Sequence, residues 1–299
     1  MQLLIADPKW TWRDWLKENL GDRELVCLDV ANADYGPPGR VFIIRDGKVR
    51  AWRLVGSVYA NRNTVDLLVG TASLLKLCET DAVVLSFEAR ESPVLRQMAV
   101  AVSESCGASQ VLVPEGSAFL HERWPVEPSA VPLAESLPLP AQIAHRRSRW
   151  LEMVEQCQEH TVELDHVGVY GVRLGSGQRL HGPPFDDLGV HVEVYGQTLL
   201  VVTDHEPEAQ TVGEALNLAH ASKLHLVSPT AYNGLVSSFI RGSGEDFGIG
   251  IVKSIDFEKR EATFYNTAVA PAPVRTVRIG SVRIDDTGKE TGETKPWAV

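Results

Sequence analysis

The chain opens MQLLIADPKWTWRDWLKENLG, an apolar run, a short break and then a stretch with helical spacing. Strand, loop and helix in that order form the frame of a phosphate-binding loop, so the strand exit is where nucleotide chemistry would sit. A loop of the type G-x-x-x-x-G-K-[ST] wraps phosphates with backbone N–H groups. Its lysine reaches the β- and γ-oxygens and its hydroxyl holds magnesium. Set on the exit at Ala6, that pattern puts Thr11 at the second glycine, Trp12 at the lysine and Arg13 at the hydroxyl. An indole then stands where the phosphates would lie, and Thr11 brings a Cβ where the backbone must approach closely. Lys9 and Arg13 can supply charge to a nucleotide, but neither restores a glycine cradle or the magnesium hydroxyl. Because phosphoryl transfer rests almost wholly on positioning and electrostatic stabilisation, ATP-dependent transfer is not expected. Gly242-Ser243-Gly244 offers no replacement loop, since no lysine-bearing helix follows it.

A second cluster with chemical potential is HRRSR at His145–Arg149. Arg146, Arg147 and Arg149 can clamp phosphates or an RNA backbone, because guanidinium forks suit bidentate phosphate contact. Equally, they can form an exposed helix face pairing with Glu152 and Glu155. Trp10, Trp12 and Trp15 can stack a base or fill a core. His181, His191, His205, His220 and His225 lack metal-ligand spacing, so no metal is expected. No nucleophile-elbow pattern supports hydrolase chemistry.

The 299 residues are 44% hydrophobic and 23% charged, enough for one large or two medium domains. Asp7, Pro8 and Lys9 interrupt the apolar start, which reads as neither a signal peptide nor a membrane span. Cys27, Cys78, Cys106 and Cys157 are scattered without C-x-x-C spacing and read as reduced thiols, so a cytoplasmic location is expected. A net charge of −10 means that nucleic-acid binding would need a local basic patch.

The elements that must position these residues alternate. LLIA, LVCLDV, VFII, DAVVLSF and QVLVPEG read as strands, and WRDWLKENL, NTVDLLVGTASLLKL and SPVLRQMAVAVSESCG as helices. VFII and VRAWRLVGS flank Asp46-Gly47 as a hairpin. This alternation predicts an α/β domain over residues 1–124 with a mostly parallel sheet and helices on both faces. Residues 125–160 are a proline-rich crossing segment, unsuited to a helix or central strand, followed by an arginine-bearing helix AQIAHRRSRWLEMVEQCQEH. Residues 161–299 read as a mainly β domain of short strands, with one helix at TVGEALNLAHA and a frayed polar tail GKETGETKPWAV.

Several stretches carry a family resemblance. LDVANADYGPPGRVFI resembles the segment of the polynucleotide 5′-hydroxyl kinases, P-loop RNA kinases of tRNA, pre-mRNA and rRNA processing, in which a strand ends in aspartate before a Pro-Pro-Gly turn. Asp29 matches the aspartate; Asp34, Gly36, Pro37, Pro38 and Gly39 keep register, while Ala31 and Asn32 stand where Gly-Gln is usual. RLVGSVYANRN resembles the family's following Val-Gly-Ser segment, with Ala60 where a proline is common. GIGIVKSIDFEKREATFYNTAVAPAPVRTVRIGSVRID resembles the family's C-terminal ending, GVRLGSG has an archaeal counterpart, and HRRSRW falls where the family carries an arginine-bearing helix over the phosphates.

The resemblance implies a P-loop-kinase-like sheet followed by a β domain, with the phosphate loop degenerate. It implies for Asp29 a role in orienting the attacking hydroxyl or a magnesium ion; the alternative is an aspartate capping the turn. The expected function is a non-catalytic scaffold that binds RNA or an RNA-processing protein, with no cofactor and no membrane association. The alternative is a divergent kinase using ATP and magnesium through Lys9, Arg13, Asp29 and the Arg146–Arg149 cluster. A third reading places another ligand in the crevice at the carboxyl ends of the parallel strands. Oligomeric state has no sequence signal.

Overall fold

Apolar runs too short to be helices, each followed by a helical or turn segment, build a sheet whose two faces are both covered. The structure, a computed structural model, describes residues 2–5, 20–78, 82–86, 92–107, 110–113, 126–128, 138–269, 273–295 and 298–299. The strand-exit segment with Lys9, Trp10, Thr11, Trp12, Arg13 and Trp15 lies outside the described residues, as does the helix expected there. The chain divides into two units, Met1–Glu152 and Met153–Val299.

Among the described residues of the first unit, seven strands run β1 (Gln2–Ile5), β2 (Glu24–Cys27), β3 (Arg40–Arg45), β4 (Lys48–Leu54), β5 (Ala82–Ser86), β6 (Gln110–Val113) and β7 (Val126–Pro128). Their order in the sheet is β4-β3-β2-β5-β1-β6-β7. From β2 to β7 every pairing is parallel, with Leu25 opposite Val83 and Leu3 opposite Val84. β3 and β4 are the antiparallel hairpin, turned at Asp46 (φ 51°) and Gly47 (φ 70°), as an Asp-Gly pair with two left-handed residues favours. The proline-bearing strand β7 sits at the sheet edge, the position in a sheet that tolerates proline.

Alternate residues point to opposite faces. Val26, Leu28, Val41, Ile43 and Val84 form one core with Leu67 and Leu74 of α1 (Thr64–Leu75) and Met98 and Val102 of α2 (Pro93–Ser105). Leu25, Cys27, Phe42, Ile44 and Val83 form the other, against Tyr35 and Trp52. α2 starts where expected of Ser-Pro: the Ser92 hydroxyl accepts from the Leu95 N–H and Pro93 takes the first turn. α3 (Leu139–Gln156) closes the unit and crosses its boundary.

The described residues of the second unit form two sheets. β10 (Gln178–Arg179), β11 (His191–Tyr195), β12 (Thr198–Val202) and β13 (Lys223–Val227) form one, in that order, with β12 and β13 parallel across α4 (Ala209–Leu218). The other runs β18 (Glu290–Glu293), β17 (Thr276–Ile284), β14 (Leu235–Ile240), β15 (Asp246–Asp256), β16 (Glu261–Asn266) and β8 (Gln158–Glu163), with β9 (Gly168–Tyr170) added beside β17. Between them lie Val172, Leu174, Leu200, Val202, Tyr232, Phe239, Phe264 and Ile279. Phe239 and Phe264 meet edge to face at 5.3 Å.

Two expectations change, and one strand has a pattern that the sequence conceals. Residues expected to continue α3 past Gln156 form β8 instead, because Gln158–Glu163 find a complete partner in β16. NGLVSSFI is the fully buried β14, although its serines interrupt the apolar pattern of a strand; Ser238 donates to Asp246 Oδ1 at 2.5 Å. The tail is not frayed: β18 pairs with β17, Arg173 N–H donates to the Val299 carbonyl at 2.6 Å, and Val299 joins the core.

Candidate functional site

In open parallel sheets, ligands bind beyond the carboxyl ends of the strands. At the end of β2 the chain leaves the sheet through a series of turns built by short polar side chains. Asp29 Oδ1 accepts the Ala31 N–H at 3.0 Å, Asn32 N–H donates to the Asp29 carbonyl at 3.1 Å, and Asn32 Oδ1 accepts the Asp34 N–H at 3.0 Å. Gly36 (φ 117°) and Gly39 (φ 78°) then take left-handed backbone conformations in the Pro-Pro turn.

Gly39 joins two of the sequence motifs. Its N–H donates to the Val30 carbonyl at 2.7 Å, and its carbonyl accepts from Val55 N–H (2.9 Å) and Gly56 N–H (2.8 Å) of the Val-Gly-Ser segment. Asn63 Nδ2 closes that segment on the Val55 carbonyl at 2.7 Å. Inside the turn, the buried Arg40 donates from Nε to the Pro37 carbonyl (2.9 Å) and from Nη2 to the Tyr35 carbonyl (2.6 Å). Burial lowers its pKa to about 10, so it stays charged at neutral pH.

The third motif, on α3, packs on the same turn. His145 Nε2 lies 3.4 Å from Asp34 Oδ1. Arg149 donates from Nε to the Ala33 carbonyl (3.0 Å) and from Nη1 to Glu152 Oε2 (2.7 Å). The fully buried Trp150 fills the space beneath Gly39. Arg146 is buried. Burial raises the Asp29 carboxyl above its usual range; the Ala31 N–H and the Arg146 charge each pull it part of the way back. Asp29 itself is half-buried at the surface, although protein crowds its carboxylate. Burial, then the Asp29 charge, pushes the neighbouring Cys27 thiol up, so it is inert at neutral pH.

Three segments far apart in sequence thus meet at one corner of the sheet. Chains from two solved structures of Clp1p with Pcf11p match 94% of this chain and 74% of their own, at 10% identity, with TM-scores of 0.56 and 0.52. The fold is similar to that of Clp1p. The first of these structures concerns the extended interface between Pcf11p and Clp1p and the structural basis for ATP loss in a glycine-to-arginine point mutant. The second is a wild-type complex of Clp1p with residues 454–563 of Pcf11p. No protein-family model matches the chain, and no curated protein is similar to it in sequence.

On this Clp1p-like frame, the residues expected at the site divide clearly. Arg146 lies near Asp29, Arg149 holds the Ala33 carbonyl of the same loop, Arg147 is exposed, and Lys9 and Arg13 lie outside the described residues. Asp29 caps its own turn through Ala31. Arg40 was missed as part of this corner, and within HRRSRW the sequence reading assigned roles to the arginines but none to His145 or Trp150. An arginine directly after a Pro-Pro-Gly turn was the available signal, since such a turn exposes carbonyls that need a donor. Among the described residues, no group of histidines, cysteines and carboxylates has the geometry of a metal site, and no helix is long and apolar enough to cross a membrane.

Proposed function

We propose that this protein is a non-catalytic relative of the polynucleotide 5′-hydroxyl kinases that serves as a scaffold for a protein partner. The observation carrying this reading is the commitment of its arginines. Arg149 spends two guanidinium nitrogens on Ala33 and Glu152, and Arg146 is buried near the Asp29 carboxyl. Guanidinium groups so engaged clamp a loop to a helix and have little left for phosphate. Similarity in fold to Clp1p, a protein described in complex with Pcf11p, supports a partner-binding role. The sequence at Thr11, Trp12 and Arg13, without the glycines, lysine and hydroxyl of a phosphate loop, supports the loss of transfer chemistry.

The competing reading is a kinase using magnesium and ATP. Calorimetry with magnesium-ATP and radiolabel transfer to a 5′-hydroxyl RNA separate the two. The scaffold reading expects no heat of binding and no labelled RNA. Transfer that disappears in Asp29→Ala would replace it with the kinase.

A further inference from the structure

Helix α1 buries Leu67, Gly70, Thr71 and Leu74 against the sheet. Its outward side is apolar too. Val65, Leu68 and Val69 are 67%, 36% and 52% exposed, and the exposed Ala72 continues the line. Their spacing (i, i+3, i+4, i+7) sets them in one strip along the helix. Tyr59, 53% exposed, stands in the turn just before it. A solvent-facing helix side ordinarily carries charges, and apolar strips left open mark contact surfaces.

Charge at the ends of the strip selects the occupant. Arg62 precedes the helix and Lys76 caps it; both are exposed, and neither has an ion pair among the described residues. Asp66, beside the strip, is half-buried and already engaged. A second copy of this chain fits poorly. Antiparallel pairing of two α1 helices sets Arg62 against Lys76, and parallel pairing sets each against itself, so positive charge meets positive charge either way. RNA would find two cations but no use for a valine–leucine centre. We propose that this strip docks an amphipathic helix of a partner protein, apolar along one side and acidic at each end. The proposal deepens the scaffold reading and rests on it.

The test uses the full chain and two labelled synthetic peptides of about 18 residues, long enough to form helix on a surface. Both carry leucine at i, i+3, i+4 and i+7; one has glutamates at its ends and the other lysines. Fluorescence anisotropy is expected to show the glutamate-ended peptide binding about tenfold tighter than the lysine-ended one. Leu68→Glu with Val69→Glu is expected to lower that binding more than tenfold. Arg62→Glu with Lys76→Glu, which leaves the apolar strip intact, should reverse the order of the two peptides. Circular dichroism melting confirms that each variant is folded. Equal affinity for the two peptides, no binding of either, or indifference to the charge reversal overturns the proposal. A wild-type dimer in sedimentation that Leu68→Glu with Val69→Glu dissolves also overturns it. The peptide titration decides the docking surface and the ATP titration decides the scaffold reading, so either can fail alone.

Discussion

Arg146→Ala tests whether the basic cluster on α3 holds the fold or grips a ligand. The wild-type guanidinium is buried and its charge partly offsets the raised pKa of Asp29. Removing it leaves a crowded carboxylate without that compensation and a gap where the side chain packed. Losing one partner of a fully buried pair costs 3–5 kcal/mol. Asp29 is only half-buried and is also served by Ala31, so about 2 kcal/mol is the reasoned figure here. For a unit of this size that corresponds to a fall in melting temperature of about 4–8 °C. The loss has a pH signature. An aspartate whose folded pKa lies above its ordinary 3.8 contributes stability that is complete below that value and fades as pH rises through the folded pKa. Arg146→Ala raises the folded pKa further, so its deficit should be largest at neutral pH and shrink as pH falls toward 4. Thermal melts of wild type, Arg146→Ala, Asp29→Asn and the double variant at several pH values measure this, with a coupling of about 1 kcal/mol expected between the two sites. Arg147→Ala, on the exposed side, should melt like wild type. If Arg146→Ala melts within about 0.5 kcal/mol of wild type at pH 7, the structural account of this arginine is refuted.

Other consequences follow from the second unit. Gly250 stands where an added Cβ would overlap the Tyr265 carbonyl of β16, so Gly250→Ala should cost several kcal/mol (about 3 or more) or prevent folding, read by denaturant titration. Glu193, buried, accepts His191 Nε2 at 2.7 Å and the Gly175 N–H at 2.9 Å; Glu193→Gln should lower stability by about 2 kcal/mol and speed hydrogen exchange at the Gly175 amide. Deleting Ala298 and Val299 removes acceptors for His225 and Arg173 together with a buried side chain, and should destabilise the unit by about 2 kcal/mol in thermal melts.

Local chemistry made much of the architecture legible. The Asp46-Gly47 hairpin follows from two residues tolerant of left-handed backbone, and α2 from its Ser92-Pro93 start. β14 was hidden because Ser237 and Ser238 interrupt its apolar run, and the burial of Ser238 rests on a distant partner, Asp246. β8 and β18 carry weak patterns of their own and exist because β16 and β17 offer them ladders. At the candidate site, the segments around Asp29, Gly39, Val55 and Arg149 could be picked out individually. Which face of α3 turns toward the loop could not, because Arg146, Arg147 and Arg149 are chemically alike until packing sorts them.

The boundary between the two units falls between Glu152 and Met153, inside the helix that runs from Leu139 to Gln156. Trp150 on one side of that point and Met153 on the other are both buried. A cut at the boundary would therefore break the helix between two buried residues and strip each fragment of helical hydrogen bonds. Either half produced alone should keep the whole of 139–156, so that neither carries a broken helix end.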